Sequence, residues 1–247
     1  MLSPNAAPHL RSIDSSASPN EPESLEALFE GQPLERIQAG GSLFFEGDAA
    51  SHVFAVAEGV LRIFKILSDG RRVITGFLYP GDLVGVSLRD RYLYSAEAVV
   101  ATKVRRFGRG RFQDEIARCP ELRPQLFARI CDEMAAAQDQ MVLLARKSAE
   151  ERVCSFLMLI ARRMGCSSQP ASRIEIPMTR LDMADYLGLT IETVSRTMTN
   201  LTSRGVIEPT GRHTVAVRRM KTLAVLAGEG DDDEAEASYV RQAVWPH

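Results

Sequence analysis

The stretch MTRLDMADYLGLTIETVSRTMTNLTSR, residues 178–204, decides how this chain is read. Thr179 is a good N-cap residue, Asp182 stands at the third following position, and Gly188 frees the backbone where a short helix must stop. Leu181, Ala184 and Leu187 are expected on the apolar side of that helix. Thr190 then caps a second helix, in which Val194, Met198 and Leu201 recur at the spacing of one inward stripe. Glu192, Ser195 and Arg196 are displaced from the stripe and gather near the helix N-terminus. Two short helices joined by a tight turn, the second displaying polar groups, are what a reader of the DNA major groove requires.

Each group has a separate use. Arg196 is expected to donate two hydrogen bonds to the O6 and N7 edge of guanine, Glu192 to accept from cytosine N4, and Ser195 to meet a nearby base or phosphate. Thr179, Arg180, Thr190, Thr193, Thr197 and Arg212 are expected to position the backbone of the duplex. Glu192 and Arg196 taken alone are better read as a surface i,i+4 ion pair worth about 0.2–0.5 kcal/mol. The capped first helix, the glycine turn and the following wing tip the reading toward DNA. That wing is expected where Val206-Ile207 and Val215-Ala216-Val217 flank Pro209-Thr210-Gly211-Arg212.

Upstream, Leu34 to Phe107 reads as short strands and turns. Leu43-Phe44-Phe45, His52 to Val56, Gly59 to Leu67, Arg72 to Leu78 and Ala96 to Val104 are the expected strands. Glu46-Gly47-Asp48, Asp69-Gly70 and Tyr79-Pro80-Gly81-Asp82 mark reversals. Repeated short antiparallel strands imply a closed roll, which buries one side of each strand and removes free edges. After Phe112 the period lengthens. Phe127, Ile130, Met134, Ala137, Met141 and Leu144 alternate in steps of three and four, with Ser148 the next step, and predict a long helix pairing with its copy in a homodimer. A two-fold dimer would present two reading helices to a palindromic site. A further helix is expected over Glu150 to Met164, and a strand over Ile174 to Ile176.

The expected architecture is therefore α+β: a flexible leader over 1–22, an antiparallel β-roll over 23–117, a dimerisation helix over 118–147, a winged helix-turn-helix over 148–228 and an acidic tail over 229–247.

The formal net charge of −2 misleads until it is divided. Residues 1–30 hold five acids and one base, and residues 229–247 six acids and one base, leaving +7 on the 198 residues between. Between Ala171 and Lys221, eight Lys or Arg face five Asp or Glu, an excess that attracts phosphate. No secretory pattern is present, and the apolar run from Val153 to Ile160 is broken by Ser155, so a cytoplasmic location without a membrane partner is expected. Cys119, Cys131, Cys154 and Cys166 form no CxxC pair, and His9, His52, His213 and His247 are scattered, so neither a metal nor a cofactor is expected. No nucleophile with its base, phosphate loop or catalytic metal motif appears, and an enzyme is not expected.

LTIETVSRTMTNLTSRGVI (189–207), AGGSLFFEGDAASHVFAVAEGVLRIFK (39–65) and DGRRVITGFLYPGDLVG (69–85) together resemble the Crp/Fnr superfamily of bacterial transcription regulators, over residues 30 to about 220. The resemblance implies a cyclic-nucleotide-binding-like roll, a dimer helix and a winged helix-turn-helix. Glu192, Ser195 and Arg196 match the Fnr-like triplet, implying a palindrome of the form TTGAT-N4-ATCAA and contact with RNA polymerase as an activator. The cyclic-AMP receptor subgroup has Arg where this chain has Ile191 and Gly where it has Ser195.

In nucleotide-binding relatives an Arg-Ser pair clamps phosphate, and Tyr94-Ser95 stands in its place, without the charged bidentate donor. Arg89 or Arg91 could be brought nearby by an altered loop. Iron-sulfur members need a cysteine cluster, but the first cysteine is Cys119 and Arg105 occupies a ligand position of the roll. The resemblance is therefore greatest to the FixK-like branch, implying control of oxygen-limited respiration or nitrogen-fixation genes. Its alternative is an effector-gated haem, nitric-oxide or nucleotide sensor, with His52 a haem ligand instead of a structural strand histidine.

Overall fold

The computed structural model describes residue 22 and residues 24–87, 89–165 and 172–229. Most of the expected leader and tail, with Cys166, His9 and His247, lies outside them. A short helix α1 (Leu25–Glu30), capped by the Ser24 hydroxyl, leads into the roll. Its strands are β1 (Leu34–Ile37), β2 (Ser42–Phe44), β3 (His52–Glu58), β4 (Leu61–Ile66), β5 (Arg72–Leu78), β6 (Leu83–Val84), β7 (Ser95–Ala98) and β8 (Thr102–Gly108). They form two antiparallel four-stranded sheets in the orders β1-β8-β3-β6 and β2-β7-β4-β5.

The single strand expected over Ala96 to Val104 is two strands, β7 in one sheet and β8 in the other. The chain changes sheets at residues 99–101, a crossing that a run of β-favouring residues conceals. Thr102 fastens it: its buried hydroxyl donates to Val100 O at 2.8 Å and accepts from Val60 N at 3.2 Å. Gly59, at φ +85°, lies against this hydroxyl so closely that a Cβ would come within 2.6 Å of it.

Between the sheets lie Phe44, Phe54, Val56, Leu61, Ile63, Val84, Ala96 and Val104. The outer faces are covered too. Val53 and Phe107 are covered by α1, by α2 (Arg109–Arg118) through Phe112, and by Leu122 at the start of α3 (Leu122–Arg146). Helix α3 has 25 residues and so spans about 37 Å. It buries Leu122 and Leu143 alone, leaving Phe127, Met134 and Met141 exposed by 68%, 57% and 63%.

Ser148 does not continue the α3 seam. The helix ends at Arg146, Lys147 is extended, and Ser148 caps α4 (Ala149–Arg163) in a reciprocal box with Glu151. Satisfying two orphan N–H groups at once outweighs one more turn of the seam. The C-terminal unit adds β9 (Ser172–Glu175), α5 (Arg180–Leu187), α6 (Ile191–Ser203), β10 (Ile207–Pro209), β11 (Thr214–Val217) and α7 (Met220–Leu226). Its sheet order is β10-β11-β9.

Phe156, Leu157, Met183, Leu187, Val194, Leu201 and Leu223 fill its core, which runs without interruption into Phe64, Ile74 and Phe77 on the outer face of β4 and β5. The Phe77 ring lies 5.3 Å from Tyr186 and 6.1 Å from Phe156, near-edge contacts that add to simple area burial. The roll and the C-terminal unit thus share one core. Among the described residues, no helix is long and apolar enough to cross a membrane.

Candidate nucleic-acid interface

The two-helix reading unit is built from its caps inward. Thr179 starts α5: its hydroxyl accepts from Asp182 N at 3.1 Å, while Asp182 Oδ2 accepts from Thr179 N at 3.0 Å. Gly188 ends it in the left-handed region, at φ 61° and ψ 40°, where an ordinary residue is strained. A Cβ there would also meet Leu144 Cδ2 at 3.3 Å. Thr190 restarts the chain as α6, its hydroxyl accepting from Thr193 N at 3.2 Å. Leu181, expected on the buried side of α5, is 47% exposed; the buried residues are Asp182, Met183, Ala184, Tyr186 and Leu187. Packing against β5 rotates the helix so that residue 182, polar as it is, faces inward.

Val194, Met198 and Leu201 bury the rear of α6. On its front Glu192 and Arg196 are exposed and Ser195 half-buried, so the expected triplet does share one free surface. Glu192 and Arg196 form no ion pair with each other among the described residues. The Glu192 carboxyl is held below its ordinary value chiefly by its own backbone N–H and the Thr190 hydroxyl, with Arg196 the smallest influence. An anion at a helix N-terminus is stabilised by just these groups, which leaves the Arg196 guanidinium uncommitted.

The positioning residues divide. Thr190 and Thr193 bond each other through their hydroxyls at 3.0 Å, and Thr197 donates to Thr193 O at 2.9 Å, so these hydroxyls already serve the helix. Arg180 is half-buried, and desolvation lowers its pKa from the usual arginine range. Arg212 is exposed at the tip of the β10–β11 hairpin, beside α6 as a wing requires. Arg196, Arg212 and Arg219 are exposed charges that can meet phosphate, whereas the exposed Arg218 is paired with Glu208.

Several residues that hold the reading unit escaped sequence reasoning. Arg152 donates to three main-chain carbonyls, Leu144 O at 2.8 Å, Lys147 O at 2.9 Å and Leu187 O at 3.0 Å, joining the ends of α3 and α5. Arg204 and Glu150 tie the end of α6 to the start of α4 at 2.5 Å. Asp182 is 1% exposed, and its Oδ1 accepts from both Arg62 Nη1 and Arg72 Nη2 at 3.0 Å. Arg72 Nε reaches Asp185 Oδ2 at 2.8 Å, and Arg62 also pairs with Glu97. The Arg62 and Arg72 positions carried only the signal of polar alternation in a strand, which reads as a solvent face.

Tyr94 and Ser95, where the resemblance places a phosphate clamp, make internal contacts. Tyr94 lies 5.9 Å from Phe44, itself stacked 3.7 Å from Tyr92, and its hydroxyl accepts from Gly85 N at 3.3 Å. Ser95 is buried, its hydroxyl accepting from Glu46 N at 2.9 Å. Arg91 donates to Gly47 O at 2.6 Å, and Arg89 is exposed. His52 lines a cleft of about 250 Å³ with Glu35, Phe44, Tyr92 and Arg106; its Nδ1 lies 2.8 Å from Ser51 Oγ. Cys119 and Cys154 are buried, and desolvation pushes the Cys154 thiol up to about 12. No group of three or more His, Cys, Asp or Glu among the described residues is arranged to hold a metal ion.

A two-sheet roll, a long helix with an open apolar seam and a winged pair of helices define the class of DNA-binding regulators built on a cyclic-nucleotide-type domain. Residues 34–119 match the cyclic nucleotide-binding domain family and residues 151–226 the Crp-like helix-turn-helix domain family. The chain is 44% identical over 175 residues to the nitrogen fixation regulation protein FixK of Bradyrhizobium diazoefficiens, covering 69% of this chain and 72% of that protein. It is 42% identical over 189 residues to the transcriptional activatory protein AadR of Rhodopseudomonas palustris, covering 74% and 77%. Its fold matches the solved structure of FixK2 from Bradyrhizobium japonicum with a TM-score of 0.74 at 34% identity, over 79% of this chain and 96% of that one. The chain belongs to the Crp/Fnr superfamily of transcription regulators, closely related to the FixK-like branch; it is a regulator, not an enzyme.

Proposed function

We propose that the protein acts in the cytoplasm as a homodimeric activator, reading a TTGAT-N4-ATCAA-like palindrome and contacting RNA polymerase at oxygen-limited respiration or nitrogen-fixation genes. The observation that carries this reading is the front of α6, where Glu192 and Arg196 are exposed and Ser195 is half-buried between them, while the rear of the helix is locked in the core. Arg196 supplies the bidentate donor for guanine and Glu192 the acceptor for cytosine, the pairing such a half-site offers. Dimerisation is supported by α3, whose Phe127, Ile130, Met134, Ala137, Met141 and Leu144 are all exposed at coiled-coil spacing. The nitrogen-fixation targets are supported by the likeness to nitrogen fixation regulation proteins FixK.

The commitment of Tyr94 and Ser95 to internal contacts supports binding that needs no nucleotide. The test is selection of bound sites from randomised DNA, using metal-free and nucleotide-free protein. Enrichment of TTGAT-like inverted repeats is expected. Selection that succeeds only with haem, nitric oxide or a cyclic nucleotide added would assign the roll a sensing role instead.

A further inference from the structure

We propose that Arg62 and Arg72 are positioning residues for DNA reading: by gripping Asp182 and Asp185 they set the angle of the reading unit, and with it the half-site spacing that the dimer accepts. The proposal rests on the reading of the protein as a homodimer on a palindrome.

Beside its apolar packing on β5, helix α5 is held by polar contacts at two places. At its C-terminal end, Arg152 holds Leu187 O and Gln140 Nε2 donates to Tyr186 O at 2.7 Å, both tying it to the helix that carries the dimer seam. At its N-terminal end the hold comes from the roll. Asp182 Oδ1 takes one hydrogen bond from each arginine, and its Oδ2 takes two from Thr179, N–H at 3.0 Å and hydroxyl at 2.7 Å. The carboxylate is 1% exposed and is fully engaged. Arg72 bridges two carboxylates with one rigid fork, Nη2 to Asp182 and Nε to Asp185, which a lysine's single ammonium cannot reproduce. A helix fixed only at one end can pivot; fixed at both, it has one direction.

The latch does not cover the reader. Glu192 and Arg196 remain exposed while all these contacts are made, so the grip orients the unit and does not occlude it. Buried ion pairs contribute little net stability against an apolar replacement, but they define a single arrangement because any other leaves a charge unpaired. The separation of the two α6 helices in a dimer depends on the direction of α5 relative to α3. Half-site spacing follows from that separation.

The experiment measures binding of the full-length dimer to palindromes with three, four and five central base pairs, for wild type, Arg72→Ala, Asp185→Ala and the double variant. In each variant, preference for the best spacing is expected to fall by about fivefold or more, a typical size for coupling between sites. The double variant should match Arg72→Ala, which already removes both of that arginine's bonds, whereas Asp185→Ala leaves the Arg72–Asp182 bond in place. Base preference within the half-site is expected to stay as in wild type. Arg72→Lys and Asp185→Asn, which preserve volume, give the same comparison if an alanine variant does not fold. A sharp wild-type profile that the variants leave unchanged, with lowered thermal stability alone, overturns the proposal by itself. A wild type that selects no palindrome overturns it together with the functional reading beneath it.

Discussion

The side-chain amide of Gln140 donates to the carbonyl oxygen of Tyr186 at 2.7 Å, joining the helix with the open apolar seam to the last turn of the first reading helix. The seam and the reader are thereby one mechanical unit, so whatever pairs the seams also pairs the readers. Met134, 57% exposed at mid-seam, makes little contact within its own chain. Met134→Glu should leave the fold intact but place a carboxylate in the proposed dimer contact, at a desolvation cost of several kcal/mol. Sedimentation should then report monomer, and palindrome affinity should fall to that of a single half-site. A stable dimer retained by this variant would place the interface elsewhere.

Arg196 is exposed on the front of α6. Arg196→Ala is expected to leave thermal stability unchanged and to lose about 1–3 kcal/mol of discrimination at the half-site guanine. Competition between the intact palindrome and one with that guanine replaced measures it. An equal loss on every sequence would identify a phosphate contact.

Thr179 serves two carboxylate hydrogen bonds as well as the cap of α5. Thr179→Ala removes the cap oxygen and one donor to a buried charge, and is expected to cost about 1–2 kcal/mol in urea unfolding. Thr179→Ser keeps the hydroxyl and should recover most of it. No recovery would show that the methyl group, not the oxygen, matters there.

Cys154 is buried in the α4 core, with its thiol raised to about 12, so almost none is thiolate at neutral pH. Iodoacetamide is expected to modify the partly exposed Cys131 in the native protein and Cys154 only after denaturation, as read by peptide mass mapping. Rapid native labelling of Cys154 would contradict the packing of this core.

His52 has its pKa lowered, first by burial and then by the Arg106 charge. The unfolded chain therefore takes up the proton more readily than the folded one. The resulting stability is present above the ordinary value of 6.5 and is lost as pH falls through the lower folded value. Thermal unfolding followed downward from about pH 7.5 should fall less steeply for His52→Gln than for wild type.

The local devices of this protein were legible in order along the chain. Thr179 with Asp182, Gly188, Thr190 and the stripe of Val194, Met198 and Leu201 are short-range patterns, and each appears in the structure as a cap, a left-handed turn or a buried face. The seam from Phe127 to Leu144 was equally plain, because a heptad repeat is a one-dimensional signal. Tertiary structure decided the rest. It split Ala96 to Val104 between two sheets, since a strand's residues do not say which neighbour they pair with. It turned Leu181 outward and Asp182 inward, because the phase of α5 is set by the strand packed on it. It brought Arg62 and Arg72 to a carboxylate 120 and 110 residues away. Sequence periodicity reports which side of an element is apolar; only the assembled fold reports which distant charge that element meets.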